Sequence, residues 1–265
     1  MLSGLFLAAC LALFPLFSVL IYVVEHGLPA LSHSFFTEIP KPVGESGGGM
    51  GNALLGTGIL VVLGSLIGIP VGVGTGVYLS EYGTGKLASC VRFATELLSG
   101  IPSIIIGIFV YSVFVVPMKR YSAIAGGASL AIIMIPTVAR VTEELLKLVP
   151  VHLREAGLAL GISRWKVTLR IILRGSIGGI TTGVMLAIAR VMGETAPLLF
   201  TALNSQYWPK GIDQPMASLP VQIYTYAISP YDEWHAQAWS GALVLVLSVL
   251  ILNLTTRLIL RRQKS

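Results

Sequence analysis

Apolar residues in this chain come in long runs rather than in alternation. Residues 2–24, 46–80, 97–118, 121–139 and 234–256 contain no Asp, Glu, Lys or Arg. A sixth run, 175–209, is interrupted only by Arg190 and Glu194. Crossing a hydrocarbon core about 30 Å thick takes roughly 20 helical residues. A helix satisfies its own backbone hydrogen bonds in lipid, whereas a barrel would show alternating segments of about ten residues, which are missing here. The pattern predicts an all-α integral membrane protein of six transmembrane helices, at about 2–24, 53–79, 97–118, 121–140, 175–202 and 235–257. A longer inner loop is expected at 141–174, and the whole reads as one domain. The first run lacks a basic segment before it and is long for a signal peptide, so it reads as a true span with little or nothing ahead of it.

Composition agrees. Charged residues make up 11% of the 265 and hydrophobic ones 54%, against about 25% charged in a soluble domain. So little charge cannot cover a water-facing surface. Cys10 and Cys90 fall on different parts of the topology and are not expected to pair. No CxxC or His cluster suggests a metal, and no cofactor is expected.

The cations give an orientation. Lys86, Arg92, Arg140, Lys147, Arg154, Arg164, Lys166, Arg170, Arg174, Arg257, Arg261, Arg262 and Lys264 fall on one side. Only Lys41, Lys119, Arg120 and Lys210 fall on the other: thirteen against four. The positive-inside rule makes the first side, and both termini, cytoplasmic. The net charge of +6 then reports topology, and no nucleic-acid partner is expected. The outer loop 203–233 holds Tyr207, Trp208, Tyr224, Tyr226 and Tyr231, and reads as an aromatic belt at the lipid interface or, less simply, as a contact for an external partner.

Inside the spans, Gly64, Gly68, Gly72 and Gly76 repeat every four residues and share one helix face. Such a face lets a neighbouring backbone approach closely; helix packing is the plain reading, a path lined by bare backbone the other. Pro70 offers a kink. Pro102 suits a first helical turn, with Ser99 as its cap. Ile135-Pro136-Thr137 should disturb the fourth span near its inner end.

The inner loop carries the most specific pattern. Residues 151–161 read as a short amphipathic helix with Leu153, Ala156, Gly157 and Leu160 on one face, and Gly161 as its stop. Within it stand Glu155-Ala156-Gly157, then Gly161, then Ile171 and Leu173. This spacing resembles the cytoplasmic Glu-Ala-Ala signature of the ABC import permeases. Gly157 stands where that family has a second alanine, and Arg174 where it has a proline. The glycine keeps the position small while weakening the helix by about 1 kcal/mol; the change at Arg174 leaves the start of span five less defined. The resemblance implies a coupling helix at Glu155, Ala156, Gly157 and Gly161 that seats on an ATPase subunit. An ordinary basic loop lying on lipid is the alternative. The chain shows no Walker A loop: its only Gly-Lys pair, Gly85-Lys86, is followed by Leu87. It is therefore expected to be no enzyme itself and to draw energy from a partner or a gradient.

The string from Ala189 through Arg190, Gly193, Glu194, Thr195 and Pro197 to Ala202 closely resembles the PstA-type permeases of phosphate ABC importers. So do residues 98–104, 218–224 and the outer segment from Gly27 to Gly49. The likeness covers nearly the whole chain and is short only at the N-terminus. It implies a type I importer permease fold in a bacterial inner membrane. It further implies a homologous PstC-type permease beside it, two PstB-type ATPase subunits, an external phosphate-binding protein, and inorganic phosphate as cargo.

Arg190 and Glu194 are four apart, a spacing that shares a helix face. Charges at membrane depth are costly and usually face the bundle interior or water. The functional reading is that Arg190 attracts the anion in the path while Glu194 tethers it or tunes its charge; a pair that locks helices together is the structural one. Arg140 is a second candidate for the path, or else an inner anchor. Competing classes are a permease for another oxyanion and an ion-coupled secondary carrier. The carrier would need mid-membrane carboxylates, and only Glu194 qualifies. A membrane-embedded enzyme finds no His–Asp or Ser–Lys set.

Overall fold

The computed structural model describes residues 2–42, 45 and 47–262; Lys264, one of the orientation charges, lies outside them. Among the described residues every regular element is a helix. Five helices are long and apolar enough to cross a membrane: Cys10–Gly27 within the first helix, Gly51–Glu81, Ala123–Lys147, Arg164–Met192 and Asp232–Thr256 within the last. A bent pair, Lys86–Gly100 and Ser103–Met118, with a turn of 105° between its halves, makes up to six if counted as one span.

The second span (Gly51–Glu81) and the fourth (Ala123–Lys147) form the centre of the bundle. A methyl group on Gly64 would sit 2.9 Å from Leu130 Cβ, on Gly68 3.0 Å from Met134 Cβ, on Gly72 2.7 Å from Val138 Cβ and on Gly76 2.5 Å from Thr142 Cβ. Both series climb by four. The two helices therefore run parallel, each glycine receiving one side chain of its neighbour. This resolves the glycine face as packing, with no path along it. It also constrains the topology: between two parallel spans the chain must cross back once. Ser103–Met118 makes that crossing, in segments of eight, five and three residues with a π turn at Tyr111–Val115. At 1.5 Å per residue this is about 24 Å, less than a full hydrocarbon core.

Several local expectations change. Ser99 caps nothing; it lies inside the helix Lys86–Gly100, and its hydroxyl donates to the Thr95 carbonyl at 3.0 Å. Pro102 is the residue before the helix rather than its first turn. Pro136 is buried within a helix that runs on to Lys147, so the expected disturbance is accommodated rather than a break. The start of that span is set by Ser122, whose hydroxyl accepts from the Ala125 N–H at 3.2 Å, a cap of the ordinary kind. The inner loop is correspondingly shorter than expected, because helix resumes at Arg164 and passes through a π turn, Thr168–Ile172, into Leu173–Met192.

The fifth span lies antiparallel to the fourth. Gly179 meets Leu145 and Gly183 meets Val141, so one number rises as the other falls. The end of the first span meets the beginning of the sixth: Ser240 donates to the Gly27 carbonyl at 2.7 Å, and Tyr22 sets its ring edge to Trp239. The outer loop is more than a belt. Part of it folds into the helix Leu219–Ala227, which buries Tyr226 against Trp234 with ring centres 4.4 Å apart. Tyr207, Trp208, Tyr224 and Tyr231 stay exposed. Cys10 and Cys90 are both free.

Candidate functional site

The short helix of the 141–174 segment spans Val151–Ala159. Gly161 ends it as expected, with φ of +74°. Its N–H reaches the Leu158 carbonyl at 2.9 Å and the Ile162 N–H reaches the Gly157 carbonyl at 3.2 Å, the paired bonds of a Schellman stop. A side chain at this position would be strained by roughly 1–2 kcal/mol.

The buried face of this helix is not the one that periodicity suggested. Leu153, Ala156 and Leu160 are exposed, and only Gly157 is buried. A methyl group at Gly157 would lie 2.8 Å from Val167 Cγ2 and 3.3 Å from Ile171 Cδ1. The glycine is needed because the foot of the fifth span rests on it. The same contact explains the long spacing of the motif: Gly157 and Ile171, fourteen positions apart in sequence, touch. Leu153, Leu158 and Leu160, with Val151 and Leu148, instead present an apolar surface outward. Glu155 lies exposed beside them.

A further group was not legible in the sequence. Arg154, counted there only as an orientation charge, reaches Glu81 at the end of the second span with Nη2–Oε1 of 2.7 Å. It also donates to the carbonyls of Val149 at 2.6 Å and Leu146 at 2.7 Å. The Glu81 side chain is 5% exposed. Arg164 donates to the Glu81 carbonyl and stacks 4.8 Å over the Tyr82 ring. The partners are 73 residues apart, so no local signal marks them.

At the other end of the fifth span, the expected Arg190–Glu194 pair is absent. The helix stops at Met192, and a new one starts at Ala196. Gly193 and Glu194 turn back on the last carbonyls, their N–H groups reaching Arg190 and Val191 at 3.2 Å each. The cause lies four residues on: Pro197 cannot donate to Gly193 and would clash with its carbonyl in a continuous helix. Pro197 instead packs on Gly107 of the third span. Arg190 and Glu194 thus do not share a helix face. Among the described residues neither makes an ion pair or a side-chain hydrogen bond. Arg190 is exposed on the bundle and Glu194 is half-buried. The register against the fourth span fixes the depth. Gly183 meets Val141, and Ala187 and Val191 pack into the core with Met134 and Leu130. Arg190 is therefore well inside the span.

Arg140 lies about two turns, roughly 10 Å, nearer the Lys147 end of the fourth span. It pairs with Glu144 at 3.0 Å, and both side chains are exposed. The two line a polar recess of about 190 Å³ between Lys86–Gly100 and the fourth span, together with Arg92, Glu143 and Lys147. There Glu143 is held by Arg92 at 2.9 Å and by Lys147 at 2.6 Å.

Comparison with known proteins places this geometry. Residues 64–265 match the family described as binding-protein-dependent transport system inner membrane component. The chain is 46% identical over 265 residues to the phosphate transport system permease protein PstA of Haemophilus influenzae, covering 100% of this chain and 94% of that one. It is 45% identical over 253 residues to the protein of the same description from Yersinia pestis, covering 95% and 86%. Among solved structures it is similar to a chain of the MetNI methionine ABC transporter in inward facing conformations. The TM-score is 0.63 at 21% identity, over 80% of this chain and 92% of that one.

Proposed function

The chain belongs to the binding-protein-dependent transport system inner membrane components and, among them, to the PstA-type phosphate permeases, and from that membership we propose how its geometry works. It is a multi-pass permease subunit of an ATP-driven inorganic phosphate importer. The observation that carries this is the match over 265 residues to a phosphate permease at 46% identity; a permease for another oxyanion is less supported.

A permease of this kind works with a second permease and with ATPase subunits. The finer assignment is a PstC-type partner, two PstB-type ATPase subunits and an external phosphate-binding protein. Residues 1–265 form one permease domain in the bacterial inner membrane, with both termini in the cytoplasm. The orientation is supported by the thirteen cations on the side of the short helix. Energy comes from the ATPase, because the chain carries no Walker A loop.

Val151–Ala159 is the ATPase seat. Glu155 and Ala156 face outward with the exposed leucines, Gly157 lets the helix sit against the fifth span, and Gly161 ends it. Arg190 lines the phosphate path. An unpaired cation at membrane depth is costly against lipid, and Arg190 is exposed in this chain. It must therefore face the second permease or the water-filled path between the two. Lacking a carboxylate partner, it has its full charge available to the anion. Glu194, at the break just outward of it, tempers the local field so that phosphate passes rather than stays. Arg140 draws the anion toward the inner end. Phosphate uptake by right-side-out membrane vesicles, with ATP inside and the loaded binding protein outside, tests the mechanism. Uptake should stop when ATP is depleted and continue when the proton gradient is collapsed; the reverse result would make it an ion-coupled carrier.

A further inference from the structure

Chain continuity links the short helix Val151–Ala159 to the fourth span at one end and to the fifth at the other. It gives no link to the second span. Among the described residues, the only side chain of the short helix that bonds to the second span is Arg154. Its guanidinium makes three contacts with the Glu81 carboxylate, of 2.7, 3.1 and 3.2 Å. Its Nη1 and Nη2 also donate to the carbonyls of Val149 and Leu146 where the fourth span ends, the latter shared with the Val149 N–H. One planar fork thus holds the ends of two spans and the short helix together. Arg164, just past the Gly161 turn, grips the Glu81 carbonyl. The C-terminal end of the second span, negative by its dipole, is therefore held by one cation of the short helix, Arg154, and one just after it, Arg164.

We propose that Glu81 and Arg154 are the clamp that makes the second span move with the short helix during transport. Arg154 is then a positioning residue for phosphate translocation and not an ATPase contact. The inference rests on reading Val151–Ala159 as the ATPase seat. Two physical arguments support it. A buried ion pair is strongly destabilised when one partner is removed, because the other charge is left uncompensated; with Glu81 only 5% exposed, the contact stays closed while the helix moves. The second and fourth spans are meshed along four successive turns by Gly64, Gly68, Gly72 and Gly76. A displacement delivered at Glu81 therefore shifts both spans as one body, instead of bending one chain end.

The test uses the complete importer in lipid vesicles, with the variants Arg154→Gln, Arg154→Lys, Glu81→Gln and the double variant Glu81→Gln/Arg154→Gln. Three quantities are read: ATPase retained on the permease, ATP hydrolysis stimulated by the loaded binding protein, and phosphate imported per ATP. The ATPase should stay bound in every variant, since the exposed leucines are untouched. Phosphate imported per ATP should fall on the order of tenfold in each glutamine variant, the double being no worse than either single, as expected when a buried pair acts as a unit. Arg154→Lys keeps the charge but cannot bridge a carboxylate and two carbonyls at once, and should fall in between; it decides the matter if the glutamine variants do not accumulate. Unchanged import per ATP in Arg154→Lys and either glutamine variant overturns the clamp, as do losses that multiply in the double variant. Gly157→Glu, measured alongside, separates this from the underlying reading. If it leaves both ATPase binding and coupling intact, the seat itself is wrong; if it uncouples while the clamp variants do not, only the clamp is.

Discussion

Arg154 and Arg190 are both cations of an apolar protein, and they are held in opposite ways. Arg154 spends its donors on a buried carboxylate and two helix-end carbonyls. Arg190 has no side-chain partner among the described residues, although it lies well inside a span. A fully paired arginine at a junction of three helices carries force, since its charge is already satisfied. An unpaired one at membrane depth carries charge, since only something outside this chain can repay its desolvation. On the proposed reading, the junction at the short helix is mechanical and the end of the fifth span near Arg190 is chemical.

The contrast can be broken from the mechanical side first. Gly157→Glu forces a side chain against Val167 and Ile171, where even a methyl group would sit 2.8 Å from Val167. It is expected to detach or uncouple the ATPase almost completely; unchanged co-purification together with unchanged transport-linked ATP hydrolysis would remove the mechanical role. Next in size comes the helix mesh that passes the movement on. Gly72→Val should destabilise the permease by about 1–3 kcal/mol through overpacking against Val138, seen as a lower thermal midpoint of the extracted complex. Gly74→Ala, two residues along the same helix with nothing within 4 Å, should leave that midpoint unchanged or raised. Equal effects of the two would mean that the glycine face is not what joins the spans. The smallest effect belongs to Arg140→Gln. That residue is exposed and already paired with Glu144, so a several-fold slowing of uptake with normal assembly is expected. Complete loss would move the chemical region inward from Arg190.

Much of the architecture was readable in the sequence, for physical reasons that also mark the limits. Uncharged runs long enough to span a bilayer locate helices because lipid leaves them no alternative. The four-residue glycine repeat names a packing face, and the structure shows Leu130, Met134, Val138 and Thr142 filling it. Gly161 stops the short helix in a left-handed conformation, as glycine does best. The Arg190–Glu194 spacing misled because a shared face requires a continuous helix, and Gly193 with Pro197 ends it between them; that signal was present and outweighed the spacing. The leucines of the short helix misled differently. Periodicity finds an apolar face but not what covers it, and here the covered position is Gly157 while Leu153 and Leu160 stay exposed. Glu81 and Arg154 are joined only by tertiary folding, across 73 residues, and nothing local announces them.

On the proposed reading, Arg190 supplies the charge that phosphate meets inside the membrane. The direct measurement is phosphate uptake by vesicles holding the complete importer with Arg190→Gln, alongside co-purification of its subunits. Uptake is expected to be abolished while the complex assembles normally. Normal uptake by the assembled variant would contradict it.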